Sequence, residues 1–237
     1  MDAVCVGIPL YPNFDSLDVC GPLQTFSFAG MDCHLIGPST DQVVTSWEGV
    51  PLTPTATFYN APKLDMLFVP GGSDPVGDVI VPGPLGHNPY LDFLAAQART
   101  PWICSVCSGA LLLGAAGLLR GYTCTTHWAF AEVLRLFPGV TVVNDYRRYV
   151  RDRNRVTGAG VSSGIDQSLY LTSVISGLDV ARLCQLKMQY RPDPVLHCGD
   201  PGDTDARDNP GLIGQVHEDW HINRAGAAVG KWLAKAP

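Results

Sequence analysis

Short apolar runs alternate with segments of helical spacing along most of this 237-residue chain. The run at residues 4–10 is continuously apolar, which is typical of a strand covered on both faces, and residues 64–69 and 102–106 are further candidates for core strands. Strands that alternate with helices favour a parallel, doubly wound sheet. The pattern therefore predicts an α/β fold with helices on both faces of the sheet.

The stretch WICSVCSGA at residues 102–110 is the strongest local signal. It predicts a strand, a tight turn with Cys107 at its corner, and a helix that continues to about Leu119. An elbow of this kind presents its side chain at the carboxyl edge of the sheet, facing the start of the next helix. We therefore expect Cys107 to be an exposed, acidified thiol that acts as a nucleophile.

Two further features are predicted to lie at the same edge, because the carboxyl ends of parallel strands meet there. Asp18 follows the first strand, and we expect its carboxyl group to be partly buried; the alternative is a helix cap or an exposed acid. Gly71 and Gly72 follow the third core strand. Their backbone N–H groups can approach a ligand closely, although such a pair is more often a plain turn.

A thiol nucleophile also needs a proton carrier and donors for developing negative charge. Asp18 and His127 are the candidates for proton transfer. The backbone N–H of Ser108, together with that of Gly72, is the candidate donor pair. His127 lies 20 residues after Cys107, far enough for a helix to return it to the same edge, but it equally fits a cap on the helix that follows it.

The chain has eight cysteines, several of them in apolar runs, as is usual for free thiols in a reducing compartment. Cys104 and Cys107 form a C-x-x-C pattern, which would suit a redox pair or half of a zinc site. No second C-x-x-C or nearby histidine completes a metal site. A metal site at this pair is therefore not expected.

Composition narrows the possible partners and the compartment. A net charge of −6 without a basic cluster argues against nucleic acid as a partner. No apolar run is long enough to span a bilayer, and an acidic residue near the start does not fit a signal peptide, so we expect a cytoplasmic protein without a membrane partner. A chain that is 46% hydrophobic and 16% charged is also expected to bury a subunit interface.

The whole chain, residues 1–237, is expected to form one domain. The residues from 73 to 89 are rich in glycine and proline and predict a long loop that walls the site. From about residue 190 the composition changes to an irregular polar arm. Helices are also predicted at residues 23–28, 128–137 and 179–188, the last of these capped by Asp179. A final helix is predicted from about Leu212 to Leu233.

A set of ordered motifs between residues 4 and 190 resembles the ThiJ/PfpI branch of the glutamine-amidotransferase-like superfamily. Within that branch it is most similar to the isocyanide hydratases. The motifs are LDVCGP at 17–22, PGG at 70–72, SVCSG at 105–109, LLGAAGLL at 112–119, TTHW at 125–128 and TGAGVSSGID at 157–166.

The resemblance implies a flavodoxin-like three-layer sandwich, a homodimer, and a cysteine nucleophile that uses no metal or organic cofactor. Cys107 matches the nucleophile of the family and Asp18 its acidic partner. Ser108 and Cys104 stand where the hydratases have threonine, and His127 matches a histidine that is not usually the base. The residues expected around the substrate are Gly71, Gly72, Cys104 and His127.

The implied reaction is hydration of an isocyanide. The Cys107 thiolate attacks the terminal carbon, Asp18 delivers the proton, and water converts the resulting thioimidate to an N-substituted formamide. A first alternative is a cofactor-free glyoxalase or deglycase that forms a hemithioacetal at Cys107; it would favour glutamate at position 18 and a working His127. A second is an oxidative-stress sensor in which Cys104 resolves oxidised Cys107.

Related domains also occur at the N-terminus of AraC-type transcription regulators. Such a regulator needs about 100 further residues for its helix-turn-helix domain, and the sequence shows no such segment. A regulatory role is therefore not expected.

Overall fold

The computed structural model describes residues 3–81 and 88–234. Its strands are β1 (Cys5–Pro9), β2 (Asp32–Gly37), β3 (Val44–Thr45), β4 (Pro51–Leu52), β5 (Ala56–Thr57), β6 (Met66–Val69), β7 (Trp102–Ser105), β8 (Thr123–Cys124), β9 (Thr141–Val142), β10 (Tyr149–Asp152) and β11 (Arg155–Gly158). Its helices are α1 (Ser16–Phe28), α2 (Pro89–Ala96), α3 (Gly109–Ala115), α4 (Ala131–Leu134), α5 (Ser163–Ile175), α6 (Leu178–Met188), α7 (Thr204–Asp208), α8 (Pro210–Asp219) and α9 (Ile222–Leu233). A π-helical turn, Val76–Ile80, and a 3-10 turn, Trp128–Phe130, complete the set.

The main sheet has the strand order β10-β11-β7-β6-β1-β2-β5 among the described residues. Every neighbouring pair is parallel except β10 and β11. Two small pairs, β3 with β4 and β8 with β9, lie outside this sheet. The predicted fold class, a mostly parallel sheet with helices around it, is confirmed.

The centre of the sheet is apolar because its strands are covered on both sides. All four residues of β6 are buried, and Leu67, Phe68 and Ile103 have no exposed surface. Burial of each such side chain stabilises the fold by about 1.5–3 kcal/mol. Helices α1, α5 and α6 contact one another in one group, while α3 contacts β6 and β7 and is flanked by α2 and α4.

The loops after β1 and β6 are joined at the carboxyl edge of the sheet. Phe14 forms an antiparallel bridge with Gly72. The backbone N–H of Asp15 donates to the carbonyl of Gly71 at 2.9 Å. The two segments predicted to meet at this edge are therefore hydrogen-bonded to each other.

Helix α1 begins at Ser16, whereas the sequence predicted a helix only from Leu23. Asp15 is the reason: its Oδ1 accepts from the N–H groups of Leu17 at 3.0 Å and Asp18 at 3.4 Å. A side chain that caps the first free N–H groups fixes where a helix starts. Because the helix begins at Ser16, Asp18 sits in its first turn rather than in a preceding loop. Pro22 lies inside the same helix.

Three other predictions about helices are wrong. Asp179 does not cap α6, because Gly177 occupies the cap position and Asp179 pairs with Arg182 at 3.0 Å. The predicted helix after position 128 is a 3-10 turn followed by the short α4. The predicted final helix is divided into α8 and α9, because His221 adopts the left-handed conformation with a φ of 51°.

The predicted loop of residues 73–89 contains the π-helical turn Val76–Ile80, while its residues 82–87 lie outside the described part of the chain. Residues 1–2, which bore on the signal-peptide prediction, are likewise not described. The arm after residue 190 includes the short helix α7. Among the described helices, none combines the length and the apolar character that a membrane span requires.

Candidate active site

Cys107 occupies the corner of the turn between β7 and α3 in a strained backbone conformation. Its φ is 55°, in the left-handed region that non-glycine residues rarely adopt. The Cys107 N–H donates to the carbonyl of Ala159 at 2.8 Å, and the hydroxyl of Thr126 donates to the Cys107 carbonyl at 2.7 Å. Strain of this kind costs about 1–3 kcal/mol and persists only where the surroundings hold it.

The Cys107 thiol is buried, with 2% of the residue exposed. Burial raises its pKa well above the ordinary value, and the carboxyl groups of Asp18 and Asp15 raise it further. The N–H and hydroxyl of Ser108 act in the opposite direction. The predicted exposed, acidified thiol is therefore wrong: the helix that follows is short, and burial beside two carboxyl groups outweighs it.

Gly71 is close both to the Cys107 elbow and to the Asp18 carboxyl group. Its N–H donates to Asp18 Oδ2 at 2.8 Å. A Cβ at this position would lie 2.6 Å from the Ser108 nitrogen and 2.9 Å from the Cβ of Cys107. Only a residue without a side chain lets the backbone pass so close to the elbow.

Asp18 is a fully buried acid. Burial raises its pKa well above the ordinary value, the charge of Asp15 adds to the rise, and the Gly71 hydrogen bond opposes it. Among the described residues its Oδ1 has no hydrogen-bond partner. Burial without a positive partner disfavours the ionised form of this carboxyl group, the kind of environment in which enzymes use an acid as a proton donor near neutral pH.

Ser108 and Gly72 bind each other through two hydrogen bonds. The Gly72 N–H donates to Ser108 Oγ at 3.0 Å, and that hydroxyl donates to the Gly72 carbonyl at 3.0 Å. The Gly72 N–H predicted to stabilise negative charge is therefore already engaged. The Ser108 N–H, which faces the thiol, is the donor that the structure places at the elbow.

A pocket of about 290 Å³ opens onto Cys107. The Trp47 indole N–H donates to Asp15 Oδ2 at 3.3 Å, which fixes one wall. Trp220 follows α8 at the break before α9 and forms another wall. The described lining residues are Asp15, Trp47, Gly72, Ser73, Cys107, Asp219 and Trp220.

The sequence reasoning missed Asp15, Trp47, Asp219 and Trp220. Asp15 carried a usable signal, because an aspartate just before a helical segment is a common cap. The other three are brought to the site by tertiary packing and carried no local signal. Tyr11 was also missed: it is buried, and its hydroxyl has no hydrogen-bond partner in the described chain.

His127 caps the 3-10 turn, which is the alternative that the sequence left open. Its Nδ1 accepts from the Ala129 N–H at 3.3 Å, and its ring lies 4.3 Å from that of Trp220. Burial lowers the pKa of His127 to about 3, with a smaller effect from His217. His127 lines a wider neighbouring cleft of about 810 Å³, and it is not among the described lining residues of the Cys107 pocket.

Cys104 lies within β7, between Phe68 of β6 and Val156 of β11. Its thiol is fully buried, and burial raises its pKa. Cys104 and Cys107 are both free thiols. Cys104 is therefore a core side chain of the central sheet, and it is not among the described lining residues of the pocket.

These features define a class: flavodoxin-like α/β proteins with a cysteine at a strained strand-to-helix elbow beside a buried carboxyl group. The DJ-1/PfpI family profile matches residues 4–173, and the chain belongs to that family. The resemblance identified from the motifs is therefore confirmed.

Particular relatives agree with this assignment. The chain is 39% identical over 202 residues to an isonitrile hydratase of Pseudomonas putida, a match that covers 84% of each protein. A solved ThiJ/PfpI family protein from Pseudomonas syringae superposes with a TM-score of 0.84 at 35% identity, covering 97% of this chain and 92% of that one. The chain is also 31% identical over 175 residues to the HTH-type transcriptional regulator GbdR of Pseudomonas aeruginosa, but that match covers 45% of the regulator.

Proposed function

We propose that this protein hydrates isocyanides to N-substituted formamides, with Cys107 as nucleophile and Asp18 as proton carrier. The observation that carries the proposal is the position of Gly71: its N–H binds the Asp18 carboxyl group, and a Cβ at this position would lie 2.9 Å from the Cβ of Cys107. An acid held protonated beside a thiol is what addition of S–H to an isocyanide carbon requires. The Pseudomonas putida isonitrile hydratase supports the choice of substrate class.

In the first step the Asp18 carboxylic acid gives its proton to the terminal carbon of the isocyanide. The Cys107 sulfur forms a bond to that carbon, and the thiol proton passes to the Asp18 carboxylate. The product is a thioimidate, and Asp18 is again a neutral acid. The raised pKa of the Cys107 thiol fits this step, because the thiol ionises only as the carbon becomes electrophilic.

In the second step water adds to the thioimidate carbon. Asp18 gives its proton to the imidate nitrogen and takes one from the attacking water, as an acid and base in turn. The carbon–sulfur bond of the tetrahedral intermediate then breaks. The proton of the new hydroxyl group returns to sulfur, and the N-substituted formamide leaves. The Ser108 N–H is positioned to stabilise negative charge on sulfur in both steps.

The pocket favours a compact, neutral substituent on the isocyanide. At about 290 Å³ it lies at the lower end of ligand-site volumes. Two indoles and two carboxyl groups line it, and its described lining residues include no lysine or arginine. An anionic substrate would therefore enter against like charge and without a cationic partner.

The alternative functions fit the geometry less well. A glyoxalase route would use His127, whose nitrogen is committed to a cap and whose pKa is lowered to about 3. A redox sensor needs an accessible, acidic thiol, whereas Cys107 is buried and its pKa is raised. Cys104 is not placed to resolve an oxidised Cys107 from within the sheet.

The test is formamide production from a panel of isocyanides that includes cyclohexyl isocyanide, methyl isocyanoacetate and the isocyanoacetate anion. We expect the wild-type protein to form N-substituted formamides from the neutral compounds and to turn over the ester at least about 10-fold faster than the anion. Cys107→Ala should abolish the product, because no other residue described in the pocket lining supplies a nucleophilic sulfur. Chromatography quantifies the formamide.

Cys20→Ser is the matched control, since Cys20 is an exposed thiol of α1 that does not line the pocket. It should retain wild-type turnover. Formamide production by Cys107→Ala would overturn the proposal. Lactate from methylglyoxal without any formamide would assign the glyoxalase function instead.

A further inference from the structure

Cys5, Asp32 and His34 form a cluster at the amino-terminal ends of β1 and β2, the sheet edge opposite the elbow. Cys5 and Asp32 are register partners in these parallel strands. Asp32 and His34 are two residues apart on β2, so both side chains lie on one face of the sheet. One ligand atom from each of the three residues lies within 4.8 Å of the other two.

Two side chains of the cluster already contact each other, and the cluster is open to solvent. His34 Nε2 lies 3.0 Å from Asp32 Oδ2, and the two side chains are 24% and 61% exposed. Asp65 lies alongside, since its Oδ2 accepts from the Cys5 N–H at 3.0 Å. A thiol and an imidazole thus share a small area with two carboxyl groups, an arrangement whose negative charge a cation would offset.

We propose that Cys5, Asp32 and His34 bind one zinc ion. Thiolate, imidazole and carboxylate are the ligands that zinc uses in proteins, at about 2.0–2.3 Å from the metal. Ligands of one tetrahedral zinc are therefore about 3.3–3.8 Å apart. His34 Nε2 and Asp32 Oδ2, at 3.0 Å, are already close to this spacing, and side-chain rotation of about 1 Å or less brings the Cys5 thiol into it. A water molecule or Asp65 completes the fourth position.

Binding converts the Cys5 thiol to a zinc-bound thiolate and releases its proton to solvent. The ion would join the first residue of β1 to β2, two neighbouring strands of the main sheet. This site is separate from the pocket at Cys107, and the proposed hydration does not use it. Failure of one proposal therefore leaves the other unaffected.

Cobalt(II) is the probe, because a cobalt–thiolate bond gives a near-ultraviolet charge-transfer absorption that zinc removes by displacement. The full chain is stripped with a chelator, kept reduced with a phosphine and titrated with cobalt. We expect one equivalent to bind. Cys5→Ser should abolish the absorption and weaken zinc binding by at least about 100-fold, since loss of even an outer-shell partner costs about 10–100-fold.

Cys33→Ser is the matched control, because Cys33 neighbours the cluster in sequence but lies on the opposite face of β2. It should bind cobalt like the wild type. Asp32→Asn is a second test variant that keeps the shape of the site, and its fold is checked by thermal unfolding. It should bind zinc at least about 10-fold more weakly. A wild-type chain that binds no stoichiometric cobalt, or a thiolate absorption that survives Cys5→Ser, would overturn the proposal.

Discussion

At the scale of single residues, the elbow combines a strained backbone with a buried thiol whose pKa is raised. Cys107 holds a φ of 55° through hydrogen bonds to Ala159 and Thr126. Cys107 and Asp18 are both buried, and the pKa of each group is raised. Under the proposed function, the reaction depends on proton transfer between the carboxyl group and the thiol rather than on a standing thiolate.

Replacement of Asp18 by asparagine tests this view directly. The amide keeps the shape and can still accept from Gly71, but it neither gives nor takes a proton at neutral pH. We expect kcat for an isocyanide to fall at least about 100-fold with KM little changed, the usual scale of general acid–base help. Steady-state formamide assays measure both constants.

The same variant has a pH signature. Because the folded-state pKa of Asp18 is raised, the folded chain binds more protons than the unfolded chain above the ordinary aspartate pKa. The stability of the wild type is therefore lowered as pH rises through that window, and Asp18→Asn should lack this loss. Asp179→Asn, an exposed acid of α6, is the control.

Activity of Asp18→Asn within 10-fold of wild type would remove Asp18 from the mechanism.

The placement of Cys107, Asp18 and Ser108 near the carboxyl edge of the sheet could be predicted from the sequence, because each follows a strand or turn with a recognisable local signature. The direction of the shift in the thiol pKa could not. It depends first on burial, and then on the carboxyl groups of Asp18 and Asp15, the second of which the sequence did not single out. Those carboxyl groups come from a chain segment far from the elbow, and no local pattern encodes their approach.

At the scale of elements, the site depends on how closely the loop after β6 approaches the turn before α3. Gly71 contacts Ser108 and Cys107 so closely that a Cβ would overlap their atoms. Gly109 makes an equally tight contact, with a Cβ there 2.4 Å from the carbonyl oxygen of Val69. The two turns thus fit together through backbone rather than side chains.

Gly71→Ala should damage this junction. An added methyl 2.6 Å from the Ser108 nitrogen must push the loop away, which breaks the Gly71 hydrogen bond to Asp18. We expect at least about 100-fold lower kcat/KM and about 1–3 kcal/mol lower stability, the usual cost of overpacking a tight core. Formamide assays and urea unfolding measure the two effects.

Gly230→Ala supplies the comparison, because Gly230 lies in α9 with nothing within 4 Å of an added Cβ. Alanine in a helix interior is favoured over glycine, so this variant should be slightly more stable, by about 0.5–1 kcal/mol, and fully active. Equal behaviour of the two alanine variants would contradict the role given to Gly71.

The strands were predictable at this scale because a strand covered on both faces leaves a largely apolar run, as at 64–69 and 102–106. The boundaries of the helices were harder to predict. The start of α1 depends on the Asp15 cap, and the break between α8 and α9 depends on the left-handed conformation of His221. Histidine gives no sequence warning of that conformation, whereas glycine would.

At the scale of the whole molecule, the pocket is assembled from segments far apart in sequence. Asp15, Trp47, Cys107 and Trp220 come from four different regions of the chain. Trp220 also stacks on Phe130, with ring centroids 5.7 Å apart. The fold class could be predicted from alternation alone, but the walls of the pocket could not, because they are defined by packing among distant elements.

Trp220, which lines the pocket, also packs against the buried ring of His127. Titration of this histidine affects the stability of the whole chain. His127 is neutral when folded, and burial against aromatic rings lowers its pKa to about 3. The unfolded chain binds a proton there below about pH 6.5. Because the pKa of His127 is lower in the folded chain than in the unfolded chain, the stabilisation that the neutral ring allows is complete above about pH 6.5. It is lost progressively as the pH falls toward 3.

His127→Asn should reduce this acid sensitivity, because the asparagine carbonyl can cap the same N–H without taking up a proton. At pH 5, about 1.5 pH units below the unfolded pKa, the loss attributable to His127 is about 2 kcal/mol relative to pH 8. Urea unfolding at both pH values should show a fall about 2 kcal/mol larger in the wild type than in the variant. His197→Asn, at an exposed position in the arm, should behave like the wild type. Equal falls in wild type and His127→Asn would contradict a buried neutral histidine, since burial without a counter-charge is what opposes protonation of the ring.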